Sequence, residues 1–189
     1  KRQLYRTVHL DLYQAAEKHG GPKVKKKLAS LGMWLLANDR TTFDFTREGG
    51  DPDKGRQIFA NQGLCLKCHK GERGGGEAGP PLTSIARLRR PDEILNSLLD
   101  PNESIIPGYG TMTVTLEDGS SVTGSPISED AESIAIKSAT GEIKSIPLVD
   151  IASRTPEVSS MPPMVSTGIL SKQDTRDLMA FLMTLTQRR

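Results

Sequence analysis

The residue types best suited to chemistry stand together in the pattern Cys65-x-x-Cys68-His69, and these two cysteines are the only ones in the chain. Two intervening residues let one turn of chain present both thiols to one edge of a flat ring, and His69 then falls beneath the centre of that ring. The pattern is typical of covalent haem attachment, in which the thiols bond to the haem vinyl groups and the imidazole binds the iron. We therefore predict one haem c held by Cys65, Cys68 and His69.

Two other kinds of site share part of this pattern. A thioredoxin-like redox pair follows a strand in a βαβ unit, and no such unit is indicated before Cys65. A structural zinc site needs two further cysteine or histidine ligands at close spacing, but the remaining histidines, His9 and His19, lie far upstream. Both alternatives are therefore disfavoured.

The ligand on the opposite face of the iron decides the chemistry. An open position favours gas binding or peroxide chemistry, whereas a His/Met pair favours outer-sphere electron transfer. Met161 is the leading candidate because it lies in a loop with two prolines just before the last predicted helix, where a thioether is held at little entropic cost. Met164 in the same loop is an alternative, and His9 or His19 would give bis-histidine ligation.

Composition limits the class of protein. The chain has 189 residues, of which 35% are hydrophobic, and a formal net charge of +2. This length suits one domain, or a small domain with an insertion. The near-neutral charge does not indicate a nucleic-acid binder, and no run approaches the ~20 apolar residues of a membrane span. Because the chain opens on Lys1 within a helical pattern, we expect a processed product or a fragment.

Helical periodicity precedes the haem motif. Residues 1–19 carry an apolar face, and a second helix is predicted from Pro22 after a Gly-Gly break. We expect these helices to form an N-terminal α-hairpin that packs on the rest of the chain. A basic face that docks an acidic partner or a membrane surface is the alternative. The polar, glycine-rich residues 38–50 predict a linker.

Further elements frame the two candidate iron ligands. Helices are predicted over residues 51–61, 91–99 and 171–185 from capping residues and apolar spacing. Residues 108–153 instead alternate apolar and polar side chains, with a hairpin turn signal at Asp118-Gly119. Short strands at this spacing predict a small β-barrel or sandwich.

In this order, the motifs resemble the class I cytochromes c, and more narrowly the planctomycete-type haem-binding domain. The resemblance covers roughly residues 50–187. The matching segments are Gly55-Arg56-Gln57-Ile58-Phe59, Cys65–His69, Gly79-Pro80-Pro81-Leu82, Asp100-Pro101-Asn102, Pro107-Gly108-Tyr109, Met161-Pro162 and Asp177–Leu182.

Together, the patterns and the resemblance predict an α+β fold in three parts. A mostly helical cytochrome c core comprises residues 51–102 and 156–189. A β-rich module of residues 103–155 is inserted into it, and a helical extension with its linker, residues 1–50, precedes it.

The resemblance also implies roles for individual residues. Pro80 would offer its carbonyl oxygen to the free imidazole nitrogen of His69, and Phe59 would pack beside the haem where the first and last core helices cross. Arg87, with Arg89 and Arg90 nearby, is a candidate to pair with the haem propionates, the alternative being a solvated surface charge.

The function implied is one-electron transfer rather than enzyme catalysis. The expected partners are redox proteins, including a fused or associated dehydrogenase, and neither nucleic acid nor a membrane span is expected. The resemblance places such a domain in the periplasm or elsewhere outside the cytoplasm, with the cell surface as one such place. Gas sensing or peroxide chemistry at an open or bis-histidine haem is the alternative, and the β module or the basic helices could serve to dock a partner.

Overall fold

A computed structural model describes residues 11–12, 15–35, 43, 46–165 and 167–187. The helices are α1 (Pro22–Leu35), α2 (Pro52–Ala60), α3 (Cys65–Cys68), α4 (Ile85–Leu88), α5 (Pro91–Leu99) and α6 (Lys172–Leu182). The strands are β1 (Lys70–Gly71), β2 (Gly74–Gly75), β3 (Gly110–Leu116), β4 (Ser121–Glu129), β5 (Ser133–Lys137), β6 (Ile143–Pro147), β7 (Ile151–Arg154) and β8 (Val158–Ser159). Helices and antiparallel strands occupy separate stretches, which confirms the α+β class.

Helices α2 and α6 cross at the centre of the helical part. The Asp51 carboxylate caps α2 by accepting hydrogen bonds from two backbone N–H groups of its first turn. The two helices approach closely because Gly55 has no side chain. A Cβ at this position would overlap the carbonyl oxygen of Asp177 on α6. The rings of Phe59 and Phe181 then meet with centroids 5.3 Å apart and planes at 59°. The predicted contact between the first and last core helices is therefore present.

The helical core draws on segments far apart in the chain. Its buried side chains are Phe43, Ile58, Phe59, Ile94, Leu95, Leu98, Met164, Val165, Leu170, Leu178, Met179, Phe181, Leu182 and Leu185. Phe43 comes from the stretch expected to be a linker, and Thr46 from the same stretch is also buried. Where the structure describes it, that stretch therefore packs against the helices, because burial of the Phe43 ring is favourable. The division of the chain at residue 50 stays a prediction.

The inserted strands form one six-stranded antiparallel sheet in the order β6-β5-β4-β3-β7, with β8 also paired to β3. Its buried face consists of Met112, Val114, Ile134, Ile136 and Ile146, a cluster separate from the helical core. The predicted turn at Asp118-Gly119 joins β3 to β4, with Gly119 at a φ of 83°.

The expected barrel or sandwich is wrong. The described strands form a single sheet whose order ends at β6 on one side and β7 on the other, so it does not close. Alternation of apolar residues along a strand shows that one face is buried, but it does not show which strands meet at the edges.

The two ends of the insert lie close together. The backbone N–H of Met164 donates to the carbonyl oxygen of Leu98 at 3.1 Å, and that of Ser159 donates to Asn102 Oδ1 at 2.8 Å. The chain therefore leaves the helical core and returns to it at nearly the same place. This geometry explains how a sheet can be inserted between α5 and α6 without separating them.

The N-terminal region is described in part. Helix α1 begins at Pro22 as predicted, and residues 15–19 are helical. Residues 1–10 of the first predicted helix lie outside the described residues. Arg176 on α6, whose side chain is 5% exposed, binds Asp11 through two hydrogen bonds of 2.6 and 3.1 Å. The extension is thus attached to the helical core near the middle of α6.

None of the described helices is both long enough and apolar enough to cross a membrane.

Candidate haem site

Helix α3 presents the two thiols. The chain leaves α2 through Gly63, whose N–H donates to the carbonyl oxygen of Ile58 at 2.7 Å, and turns at Leu64, which has a left-handed φ of 51°. Cys65 and Cys68 are then the first and last residues of α3. Side chains three positions apart lie on one face of a helix, so both sulfurs can meet the same edge of a ligand. Both cysteines are free thiols.

The environment of Cys65 does not activate it as a nucleophile. Burial raises the pKa of the Cys65 thiol to about 11, so the thiol is protonated at neutral pH. Catalytic and redox cysteines instead have lowered pKa values in electropositive surroundings. This agrees with a cysteine used for attachment and argues against a thioredoxin-like pair.

The imidazole ring of His69 is held by the backbone of Gly79 and Pro80. Its Nδ1 lies 2.7 Å from the carbonyl oxygen of Pro80, so Nδ1–H donates there and Nε2 is left for a metal. An axial histidine needs its second nitrogen satisfied in this way to fix the ring's orientation. A Cβ on Gly79 would lie only 2.7 Å from Cε1 of His69, so the ring packs directly against the Gly79 backbone, where a side chain would not fit.

A short hairpin brings Pro80 back to His69. Strands β1 and β2 pair in antiparallel register, Lys70 with Gly75 and Gly71 with Gly74. Further along, the N–H of Gly79 donates to the carbonyl oxygen of Cys68 at 2.7 Å. This glycine-rich run therefore forms hydrogen-bonded structure, since glycine permits the positive φ angles that Gly74 and Gly75 adopt in the tight turn.

The two candidate methionines occupy different environments. Met161 follows β8, is half-buried at the edge of the helical core, and donates its N–H to Ser159 Oγ at 3.1 Å. Met164 is 4% exposed and lies inside the helical core. Of the alternative histidine ligands, His9 lies outside the described residues and His19 is exposed.

The arginines near α4 differ in their partners. Arg89 and Arg90 lie within 4 Å of carboxylates on α5, those of Glu93 and Asp92. Arg87 is exposed and pairs with no carboxylate among the described residues. Its guanidinium is therefore the one of the three that is left for a carboxylate supplied from outside the chain.

Sequence reasoning did not single out Asn102 or Ser159 for the site. They are 57 positions apart in the chain, yet the N–H of Ser159 donates to Asn102 Oδ1, and Ser159 Oγ accepts the N–H of Met161. Asn102 belongs to Asp100-Pro101-Asn102, one of the segments that carry the family resemblance, and this was its only indication in the sequence. Ser159 belongs to none of those segments.

The donor set fits haem better than a protein-bound metal ion. In the part of the chain that the structure describes, no group of three or more His, Cys, Asp or Glu side chains is placed to hold a metal. A zinc cluster built from those residues is therefore ruled out. Two free thiols one helical turn apart, followed by an imidazole with one nitrogen satisfied, match the attachment edge and the axial position of haem c.

Comparison with known proteins also supports haem as the bound group. None of the curated proteins compared with this chain matches it. Residues 50–123 match the family model described as cytochrome c oxidase, cbb3-type, subunit III. The matched range contains Cys65, Cys68, His69 and Pro80, and ends before Met161. The motif, its geometry and this match support a c-type cytochrome domain in this part of the chain, and such a domain implies covalently bound haem c with its iron and electron transfer through that haem.

Proposed function

We propose that the chain transfers single electrons through one haem c whose iron is bound by His69 and Met161, and that it is not itself an enzyme. The observation that carries this proposal is the hydrogen bond from His69 Nδ1–H to the Pro80 carbonyl oxygen. It leaves one imidazole nitrogen for the iron beside the two attachment thiols. The haem, when bound, supplies an iron that changes oxidation state by one electron.

The burial of the methionines supports Met161 as the second ligand. Met112 lies in the sheet core, and Met164 and Met179 lie in the helical core. Met183 is partly buried but sits at the end of α6, with its N–H bonded to the carbonyl oxygen of Met179. Met161 combines partial burial with a position in a proline-containing loop, so its thioether is the one of these five best able to face a bound ring.

The surrounding side chains have supporting roles. The Pro80 carbonyl orients the imidazole and increases its basicity. Phe59, which is buried and contacts Phe181, would shield one edge of the ring from water. Arg87 would pair with a propionate, which a guanidinium binds through two parallel hydrogen bonds. An apolar, water-poor setting of this kind tunes the potential of an electron carrier.

The wider setting follows from the resemblance given by the motifs. We propose that the chain is a planctomycete-type domain outside the cytoplasm, in the periplasm or at the cell surface. Its partners would be redox proteins, among them a dehydrogenase fused to it or associated with it. The ordered set of motifs from residue 50 to residue 187 supports this narrower assignment.

Absorption spectra of the oxidised and reduced holoprotein test the ligation. We expect the far-red sulfur-to-iron band in the oxidised protein, its loss in Met161→Ala, and its retention in Met164→Ala. The Met164 variant is the matched control because it removes a thioether from the same loop.

Binding of carbon monoxide to the reduced protein separates the alternatives. Slow or absent binding agrees with a closed His/Met site. Rapid binding by the native protein, with no far-red band in the oxidised form, would show an open site and would overturn the electron-transfer proposal in favour of gas binding or peroxide chemistry.

A further inference from the structure

We propose that Asn102 and Ser159 are positioning residues for the loop of residues 160–164, here called the Met161 loop. They hold this loop in place at the iron and thereby make the inserted sheet part of the haem site. The inference rests on the proposed role of Met161 as an iron ligand. It assigns a task to the insert that neither the haem motif nor the family match contains.

A chain of hydrogen bonds connects the start of the insert to Met161. Asn102 is fixed by its own N–H, which donates to Asp100 Oδ1 at 3.1 Å. Its side-chain Oδ1 accepts the N–H of Ser159 at 2.8 Å. The hydroxyl of Ser159 in turn accepts the N–H of Met161 at 3.1 Å. Each step uses a side-chain acceptor to hold a backbone donor, so side-chain substitution can break either step.

The same serine belongs to the sheet. Strand β8, Val158–Ser159, pairs with β3 through Gly110 opposite Ser159 and Thr111 opposite Val158. Only Ser160 separates the end of this strand from Met161. The backbone of Met161 is therefore tied to β3 on one side and, through Met164 N–H and the Leu98 carbonyl oxygen, to α5 on the other.

Asn102 and Ser159 are not core residues, so their hydrogen bonds can control release of the Met161 loop without controlling the stability of the fold. Asn102 is exposed and Ser159 is half-buried, and neither belongs to a hydrophobic cluster. Their removal should therefore leave the fold intact while easing release of the loop. One net hydrogen bond corresponds to about a fivefold change in such an opening equilibrium.

Imidazole binding to the oxidised holoprotein measures this opening, because added imidazole must replace Met161 at the iron. We expect Asn102→Ala and Ser159→Ala each to tighten imidazole binding by about fivefold, with a weakened far-red band. The double variant should show less than the product of the two single effects, since both residues act along one chain of bonds.

Conservative variants and a matched control separate positioning from general loosening. Asn102→Asp keeps an acceptor oxygen and Ser159→Thr keeps a hydroxyl, so both should restore near-native imidazole binding. Ser153→Ala removes an exposed serine hydroxyl from β7, which also pairs with β3, and should leave imidazole binding and the band unchanged.

The outcomes distinguish this inference from the ligation on which it rests. If Met161→Ala leaves the far-red band in place, the ligand assignment fails and the inference fails with it. If Met161→Ala removes the band but Asn102→Ala and Ser159→Ala bind imidazole as the native protein does, only the positioning role is refuted. Equal effects from Ser153→Ala would also refute it, because the response would then reflect general weakening of the sheet.

Discussion

The helical core and the inserted sheet are stabilised in different ways. In the sheet, β3 pairs with β4, β4 with β5, and β5 with β6, so most pairings join neighbours in sequence. In the helical core, the central crossing joins α2 to α6, and the residues that bury it come from positions 43 to 185. The sheet is therefore built from local contacts, and the helical core from contacts that close a loop of more than a hundred residues.

This difference predicts which of the two cores a bound haem stabilises. The sheet buries its own five-residue cluster, with Leu116, Val122, Leu148 and Ile151 partly buried against it, and Cys65 does not belong to this cluster. In the helical core, several members of the cluster's border are only partly buried, including Cys65, Leu82 and Met161. We expect Cys65, Leu82 and Met161 to face the haem, and we therefore expect a bound ring to stabilise the helical core more than the sheet.

The largest effect should come from preventing haem attachment. We expect the double variant Cys65→Ala, Cys68→Ala to lose most of the structure of the helical core while the sheet persists, because the core loses the ring that covers its partly buried border. Hydrogen exchange resolved by residue would show protection retained in β3–β5 and lost in α2 and α6. Native-like protection of both helices in the haem-free chain would contradict the comparison.

Matched truncations in the two cores should have smaller and separable effects. Leu178 in α6 is 0% exposed and Ile134 in β5 is 1% exposed. Each change to Ala should lower the free energy of unfolding by about 2–5 kcal/mol through lost burial and a cavity. Only Leu178→Ala should alter the haem spectrum during denaturant titration.

An exposed residue provides the control for these truncations. Val149 is 85% exposed, so Val149→Ala should change the free energy of unfolding by no more than about 0.5 kcal/mol. If Ile134→Ala shifted the haem transition as far as Leu178→Ala does, the two regions would unfold as one unit and the comparison would be wrong.

The smallest effect concerns the attachment of the N-terminal segment to α6. Hydrogen bonds and the charge of Arg176 hold the pKa of Asp11 below its ordinary value of 3.8. The ion pair therefore stabilises the folded state fully above that value, and the contribution is lost as pH falls through the lowered pKa. Because the Asp11 side chain is 55% exposed, solvent screening limits the effect to about 1 kcal/mol or less.

Urea titrations of Asp11→Asn against the native protein check this pH dependence. The difference in free energy of unfolding of the helical core should be constant from neutral pH to about pH 5 and should shrink toward pH 2. The transition of the sheet should be the same in both proteins at every pH. A difference that grew as pH fell would contradict the assigned sign.

Much of the fold was predictable from local patterns. Helices α2 and α6 carry caps and apolar spacing that predict their starts, α5 carries apolar spacing, and Asp118-Gly119 predicts the turn between β3 and β4. The barrel prediction failed because closure depends on how sheet edges meet, which alternation along a strand does not encode. The burial of Phe43 was not indicated by the polar composition of residues 38–50, because composition describes a stretch as a whole and not one side chain.

The sequence was sufficient to predict haem attachment, because Cys65, Cys68 and His69 lie within five residues and their spacing sets which groups they can reach together. Tertiary structure decided what surrounds that chemistry. The Pro80 carbonyl on His69, the burial of Met164 against the half-burial of Met161, and the bond from Ser159 to Asn102 all depend on segments that meet only on folding. Such contacts reflect the packing of distant elements, and no local pattern records them.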